Sequence, residues 1–140
     1  MIVSMSTRKF FLAAILAAST STLPAATDPP IACNMKALTS EQRKSLGQRG
    51  ELVISAIVSA RELNDGYAFH VDRSKATLMD VAQWLDLWRR CCPFYEFRID
   101  YHAADGDVWL SVTGRPGVKE YLPLDSPRLV AKLPRQIIQF

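Results

Sequence analysis

Hydrophobic positions along this chain change period several times, and each change marks an element. Leu46, Gly50, Val53 and Ile57 fall on one face of a helical repeat. Thr39-Ser40-Glu41-Gln42 opens it as a capping box, with Thr39 as N-cap and Gln42 three residues on, while Gly47 and Gly50 weaken it. Near Ile54 to Ala56 the pattern gives way to a β-rich stretch. Glu62-Leu63-Asn64-Asp65-Gly66-Tyr67 then supplies a tight turn of the Asp-Gly type, and Tyr67, Phe69 and Val71 alternate inward along the return strand. A second helix is predicted from Ser74, with Leu78, Val81, Leu85, Trp88 and Cys92 on one face until Pro93 stops it.

Beyond the proline, Tyr95, Phe97, Ile99 and Tyr101 alternate with Glu96, Arg98, Asp100 and His102, the signature of a half-buried strand. Ala103-Ala104-Asp105-Gly106-Asp107 turns the chain, and Val108, Leu110 and Val112 build the partner strand. Gly114-Arg115-Pro116-Gly117 leads into a short helix from Val118 to Leu122. Pro123, Pro127 and Pro134 punctuate the tail, where Leu129, Val130, Ile137 and Ile138 remain able to pack on the domain. The order α-β-β-α-β-β-α implies an α+β two-layer sandwich, an antiparallel sheet of about four strands under two or three helices.

The N-terminal stretch has a different logic. Arg8 and Lys9, the apolar run Phe10 to Ala18, and Leu23-Pro24-Ala25-Ala26 make the three regions of an export signal cut after Ala26. The run is far short of the roughly 20 residues a membrane span needs. Pro30-Ile31-Ala32-Cys33 as a lipoprotein start is disfavoured, because proline stands where leucine is preferred and the cysteine is remote from the apolar run. The expected organisation is 1–26 signal peptide, 27–38 arm, 39–122 domain and 123–140 tail, exported to a periplasmic or extracellular location. The 114 residues after the cut suffice for one modest core. They hold fifteen Lys and Arg against fourteen Asp and Glu, a balance of +1, so a nucleic-acid partner has no electrostatic footprint. No integral membrane segment is expected after cleavage, and no protein partner is indicated.

Candidate chemistry concentrates in three cysteines, Cys33, Cys91 and Cys92. Adjacent cysteines do not readily bridge each other, so each of the pair is available to Cys33 or to a ligand. In the plainer reading Cys91 pairs with Cys33, closing a loop worth very roughly 4 kcal/mol, and Cys92 is a small buried hydrophobe. In the sharper reading all three thiolates converge as a metal site, and soft sulfur ligands suit mercury(II), arsenite or copper(I). Arg89 and Arg90 would favour thiolates there, opposed by the negative end of the helix. A thiol-disulfide redox role, with one of the pair attacking and Cys33 resolving, is the alternative.

The remaining candidates are weaker. His70 and His102 lie on polar strand faces and read first as surface histidines, as do Glu96, Arg98 and Asp100 as a solvated charged face. Trp84, Trp88 and Trp109 read first as core, with a ligand pocket as the alternative. Gly114-Arg115-Pro116-Gly117 is too short and common to count as a phosphate loop. No enzyme motif is present, no histidine is locally tied to the thiols, and a non-catalytic role is the expectation.

Ile31-Ala32-Cys33, Arg61-Glu62-Leu63-Asn64-Asp65-Gly66-Tyr67-Ala68-Phe69, Arg90-Cys91-Cys92-Pro93-Phe94 and Gly117-Val118-Lys119-Glu120-Tyr121-Leu122 together resemble a group of small bacterial proteins without an established activity. The resemblance spans about residues 31 to 122, and the Cys-Cys-Pro-Phe segment is its most specific part. Many of that group carry no export signal and share the Cys33 position. This implies that the three thiols belong together for a reason independent of an oxidising compartment, which favours a ligand or redox site over a plain staple.

Overall fold

A computed structural model describes residues 23, 24 and 26–134. The export signal read over residues 1–26 lies almost entirely outside them, as do Ile137 and Ile138. Helix α1 (Ser40–Ala56) is followed by strands β1 (Ile57–Leu63) and β2 (Gly66–Val71), helix α2 (Leu78–Cys91), strands β3 (Glu96–His102) and β4 (Asp107–Thr113), and helices α3 (Val118–Asp125) and α4 (Pro127–Val130). The strands form one antiparallel sheet in the order β1-β2-β4-β3. The α+β architecture and the element order are those the period changes predict, with α4 as a short addition.

Alternation fixes the layers. Tyr67, Phe69 and Val71 of β2 and Val108, Leu110 and Val112 of β4 join Val53 and Ala56 of α1 and Val81, Leu85 and Trp88 of α2 in one buried core. Between those core positions the register aligns Ser59, His70, Trp109 and Asp100 in one row and Arg61, Ala68, Ser111 and Arg98 in the next. This is the sheet's other face, and it carries the predicted charged side chains. Arg98 pairs with Asp100 at 3.1 Å, Arg61 lies over the Trp109 ring, and His70 stacks on Trp109 with centroids 4.8 Å apart and pairs with Asp107.

Local chemistry sets the boundaries. The Thr39–Gln42 capping box forms as read, with both reciprocal bonds present. The second helix begins later than Ser74. Asp72 takes both the backbone N–H and the hydroxyl of Ser74, holding it in a preceding turn, and Thr77 and Asp80 form the capping box that opens α2 at Leu78. The first hairpin turns through Asn64 and Asp65, and no described non-glycine residue has a positive φ, so the expected left-handed Asp-Gly turn is absent. Gly66 serves another purpose: it pairs with Thr113 of β4, and a Cβ there would lie 2.0 Å from the Val112 carbonyl oxygen. Close approach of two central strands explains this glycine.

At the C-terminal end, α3 runs on through Pro123 to Asp125, past the predicted stop at Leu122. Leu129 of α4 is fully buried, so the segment read as a tail completes the core. Gly117, at φ +99°, starts α3, and Arg115 beside it donates to the Pro29 carbonyl. The Gly-Arg-Pro-Gly run is therefore a helix start and an attachment for the arm. Among the described residues no helix is long and apolar enough to cross a membrane.

Candidate functional site

Three segments far apart in sequence meet at the C-terminal end of α2. The arm arrives because Asn34 N–H donates to the Cys91 carbonyl at 2.6 Å, using an acceptor that the end of the helix leaves unpaired. Leu38 is buried behind it. This places Cys33 against Cys92, and the two form a disulfide spanning 59 residues with Cα atoms 4.4 Å apart. Cys91 remains a thiol.

The pairing corrects the plainer reading, in which Cys91 was the partner. Cys91 is the last helical residue, and its side chain turns back into the protein, donating to the Trp88 carbonyl at 3.3 Å. Cys92 is the C-cap at φ −128° and ψ 68°, so its side chain leaves the helical stripe and meets the arm. Both are about 1% exposed, whereas Cys33 is partly exposed. The Cys91 and Cys92 sulfurs are 3.5 Å apart.

The third segment supplies a residue that the sequence did not single out. Asp125, the last residue of α3, places Oδ1 3.5 Å from Cys33 Sγ and accepts a 3.0 Å hydrogen bond on Oδ2 from the Tyr95 hydroxyl. The sulfur contact is no hydrogen bond while Cys33 is oxidised, since a disulfide sulfur carries no proton. Ligand atoms of Cys33, Cys92 and Asp125 all lie within 4.8 Å of one another. The Cys91 sulfur touches that of Cys92 but lies outside this mutually close group.

Burial governs the electrostatics. It pushes the Asp125 carboxyl above the ordinary carboxylate range, opposed by hydrogen bonds from Tyr95 and Trp88. It raises the Cys91 thiol too, with the Asp125 charge adding to the effect. The Tyr95 hydroxyl is held protonated by burial and then by the same carboxylate. Arg89 and Arg90 do not activate the thiols as expected: both guanidiniums hold Asp86, each at 2.7 Å, one turn back on the exposed side of α2. Cys91 is accordingly a neutral thiol at physiological pH.

Beside the sulfurs lies a pocket of about 240 Å³ between α1, α2 and the junction of α3 with α4. Trp84 and Trp88, stacked at 4.7 Å, form one wall, and Leu46, Gly47, Gly50 and Ile54 of α1 form the other. An ion pair between Glu51 and Arg128 spans the rim. Two of the three tryptophans thus border a pocket, while Trp109 belongs to the opposite face of the sheet. His70 and His102 are not among the residues that line this pocket.

Compared with protein-family models, curated proteins and solved structures, the chain gives no match.

Proposed function

We propose that this protein, exported by its leader and then reduced, binds a thiophilic metal or metalloid ion as cargo through Cys33, Cys91 and Cys92, with Asp125 as an adjoining oxygen ligand. The observation that carries this reading is the convergence of sulfur and carboxylate atoms from three separate segments within 4.8 Å. Metal–sulfur bonds of about 2.3 Å place the ligands of a trigonal or tetrahedral centre roughly 3.8 to 4.0 Å apart, close to the 3.5 Å between the Cys91 and Cys92 sulfurs, and reduction frees Cys33 and Cys92 to part toward that spacing. Sulfur ligands select a soft ion, such as arsenite, mercury(II) or copper(I), over a hard one. The Cys33–Cys92 disulfide is the oxidised form of the same site, and a dithiol reductant opens it by exchange.

Anaerobic titration of the reduced protein with arsenite tests the reading. One equivalent should bind and protect the thiols from alkylation, and serine at position 33, 91 or 92 should each weaken binding sharply. Equal affinity in all three variants, or no uptake, rejects it.

A second reading, thiol–disulfide exchange, is favoured by the disulfide itself, whose Cys33 side is the more accessible. An external thiolate would attack Cys33 Sγ, forming a mixed disulfide and expelling the Cys92 thiolate. The neutral Cys91 is unsuited to attack at physiological pH but well placed beside the leaving sulfur. Rapid reduction by a monothiol such as glutathione, unchanged in Cys91→Ser, is the outcome this reading requires.

A further inference from the structure

Resting on the metalloid reading, we propose that the cargo is an organic derivative, a trivalent arsenical carrying one aryl-sized apolar group, and that the pocket beside the sulfurs receives that group. A bare ion makes no use of a mainly apolar pocket next to its ligands. A volume of about 240 Å³ exceeds the roughly 150 Å³ in which an apolar cavity can hold benzene. Its walls suit an aromatic ring: the Trp84–Trp88 stack on one side, Leu46 and Ile54 on the other. Gly47 and Gly50 keep the α1 wall low. A Cβ at Gly50 would come 3.1 Å from Trp84 Nε1, while one at Gly47, which also lines the pocket, would meet nothing within 4 Å.

The thiols point the same way. An inorganic trivalent centre takes three sulfurs, whereas one already bonded to carbon takes two. All three cysteines border the pocket, but Cys33 and Cys92 already face each other, while the Cys91 hydrogen is committed to the Trp88 carbonyl. The chemistry is a condensation. After a dithiol reductant has opened the disulfide, R–As(OH)₂ reacts with the two thiols, two As–O bonds break and two As–S bonds form. Each thiol proton leaves with a hydroxide as water, and arsenic keeps its oxidation state.

The test compares reduced wild type with Cys91→Ser and Gly47→Leu, using arsenite, a methyl arsenical and phenylarsine oxide, which hydrates to the phenyl dihydroxide. Wild type should bind the phenyl probe at least tenfold more tightly than the methyl probe, since both use two thiols and differ only in apolar size. Cys91→Ser should keep that preference while losing arsenite. Gly47→Leu, which adds bulk to a wall residue and improves its helix, should stay folded and lose the phenyl preference. A phenyl-to-methyl ratio near one in wild type, or a preference unaffected by Gly47→Leu, overturns the inference while leaving arsenite binding intact. Failure of every probe, arsenite included, instead removes the metalloid reading beneath it.

Discussion

Replacing Cys33 by serine isolates what the disulfide contributes. The cross-link closes a loop of 59 residues, and the chain-entropy relation gives roughly 4 kcal/mol for that length at 25 °C. Little else should change, because Cys33 is partly exposed and the arm keeps its other attachments, including Asn34 N–H to the Cys91 carbonyl. With a urea slope of about 1.5 kcal/mol/M, in the range for a domain of this size, the midpoint should fall by roughly 3 M. Cys92→Ser should cost about 1 to 3 kcal/mol more, since a hydroxyl then replaces sulfur at a position 1% exposed. Cys91→Ser carries no loop contribution, and its hydroxyl inherits the Trp88 carbonyl as acceptor.

Urea unfolding followed by tryptophan fluorescence, with and without reductant, reads these differences. The decisive comparison is Cys33→Ser against wild type in a Cys91→Ser background, which prevents reshuffling of the disulfide in the unfolded chain. The gap should be about 4 kcal/mol in oxidising buffer and close to zero in reductant. Mass spectrometry of the oxidised wild type should find one thiol, Cys91, alkylated slowly until the protein is unfolded. A gap that persists in reductant would show that serine damages the native packing and that loop entropy is not its source. Equal midpoints in oxidising buffer, with the disulfide present, would refute the loop argument itself.

Two further outcomes follow from the fold. Gly66→Ala should destabilise by about 3 kcal/mol, because its Cβ meets Val112 and Thr113 backbone atoms of the neighbouring strand at 2.0 to 2.9 Å; a change below about 1 kcal/mol in urea unfolding would show that β2 and β4 can part cheaply. Asp125 has its folded pKa raised by burial, so between the ordinary value of 3.8 and the higher folded value the native state binds more protons than the unfolded chain, and stability falls as pH rises through that window. Asp125→Asn keeps an acceptor for Tyr95 and removes the charge, so its stability relative to wild type should increase from pH 3.5 to pH 7. A difference independent of pH would mean that the carboxyl is not desolvated.

The fold was legible because its elements differ in period. Alternation at Tyr67 to Val71 and at Tyr95 to Tyr101 cannot be confused with the stepping at Val81, Leu85 and Trp88. What the pattern could not resolve were choices made by one backbone angle or one competing partner. Which cysteine meets Cys33 depends on the chain leaving helical geometry at Cys92, and nothing in the residue types of Cys91-Cys92-Pro93 declares where that happens. Arg89 and Arg90 were assigned to the thiols by proximity in sequence, whereas Asp86, three and four residues back, captures both. Asp125 escaped notice because Pro123 was read as a helix stop. Its one sequence signal, a lone carboxylate among Leu122, Leu124 and Leu129, becomes meaningful only once α3 is seen to continue.

The attachments of the arm decide whether the site survives reduction. Asn34 donates to the Cys91 carbonyl, Arg115 to the Pro29 carbonyl, the Tyr121 hydroxyl accepts from Cys33 N–H at 3.4 Å, and Leu38 is buried. Each of these is independent of the disulfide, and together they hold both sides of Cys33. Opening the S–S bond should therefore leave the Cys33 thiol close to Cys92 and Asp125, where a ligand can use it. Were the arm held by the disulfide alone, reduction would scatter the ligand set, and the sulfur cluster could serve as a staple but not as a binding site.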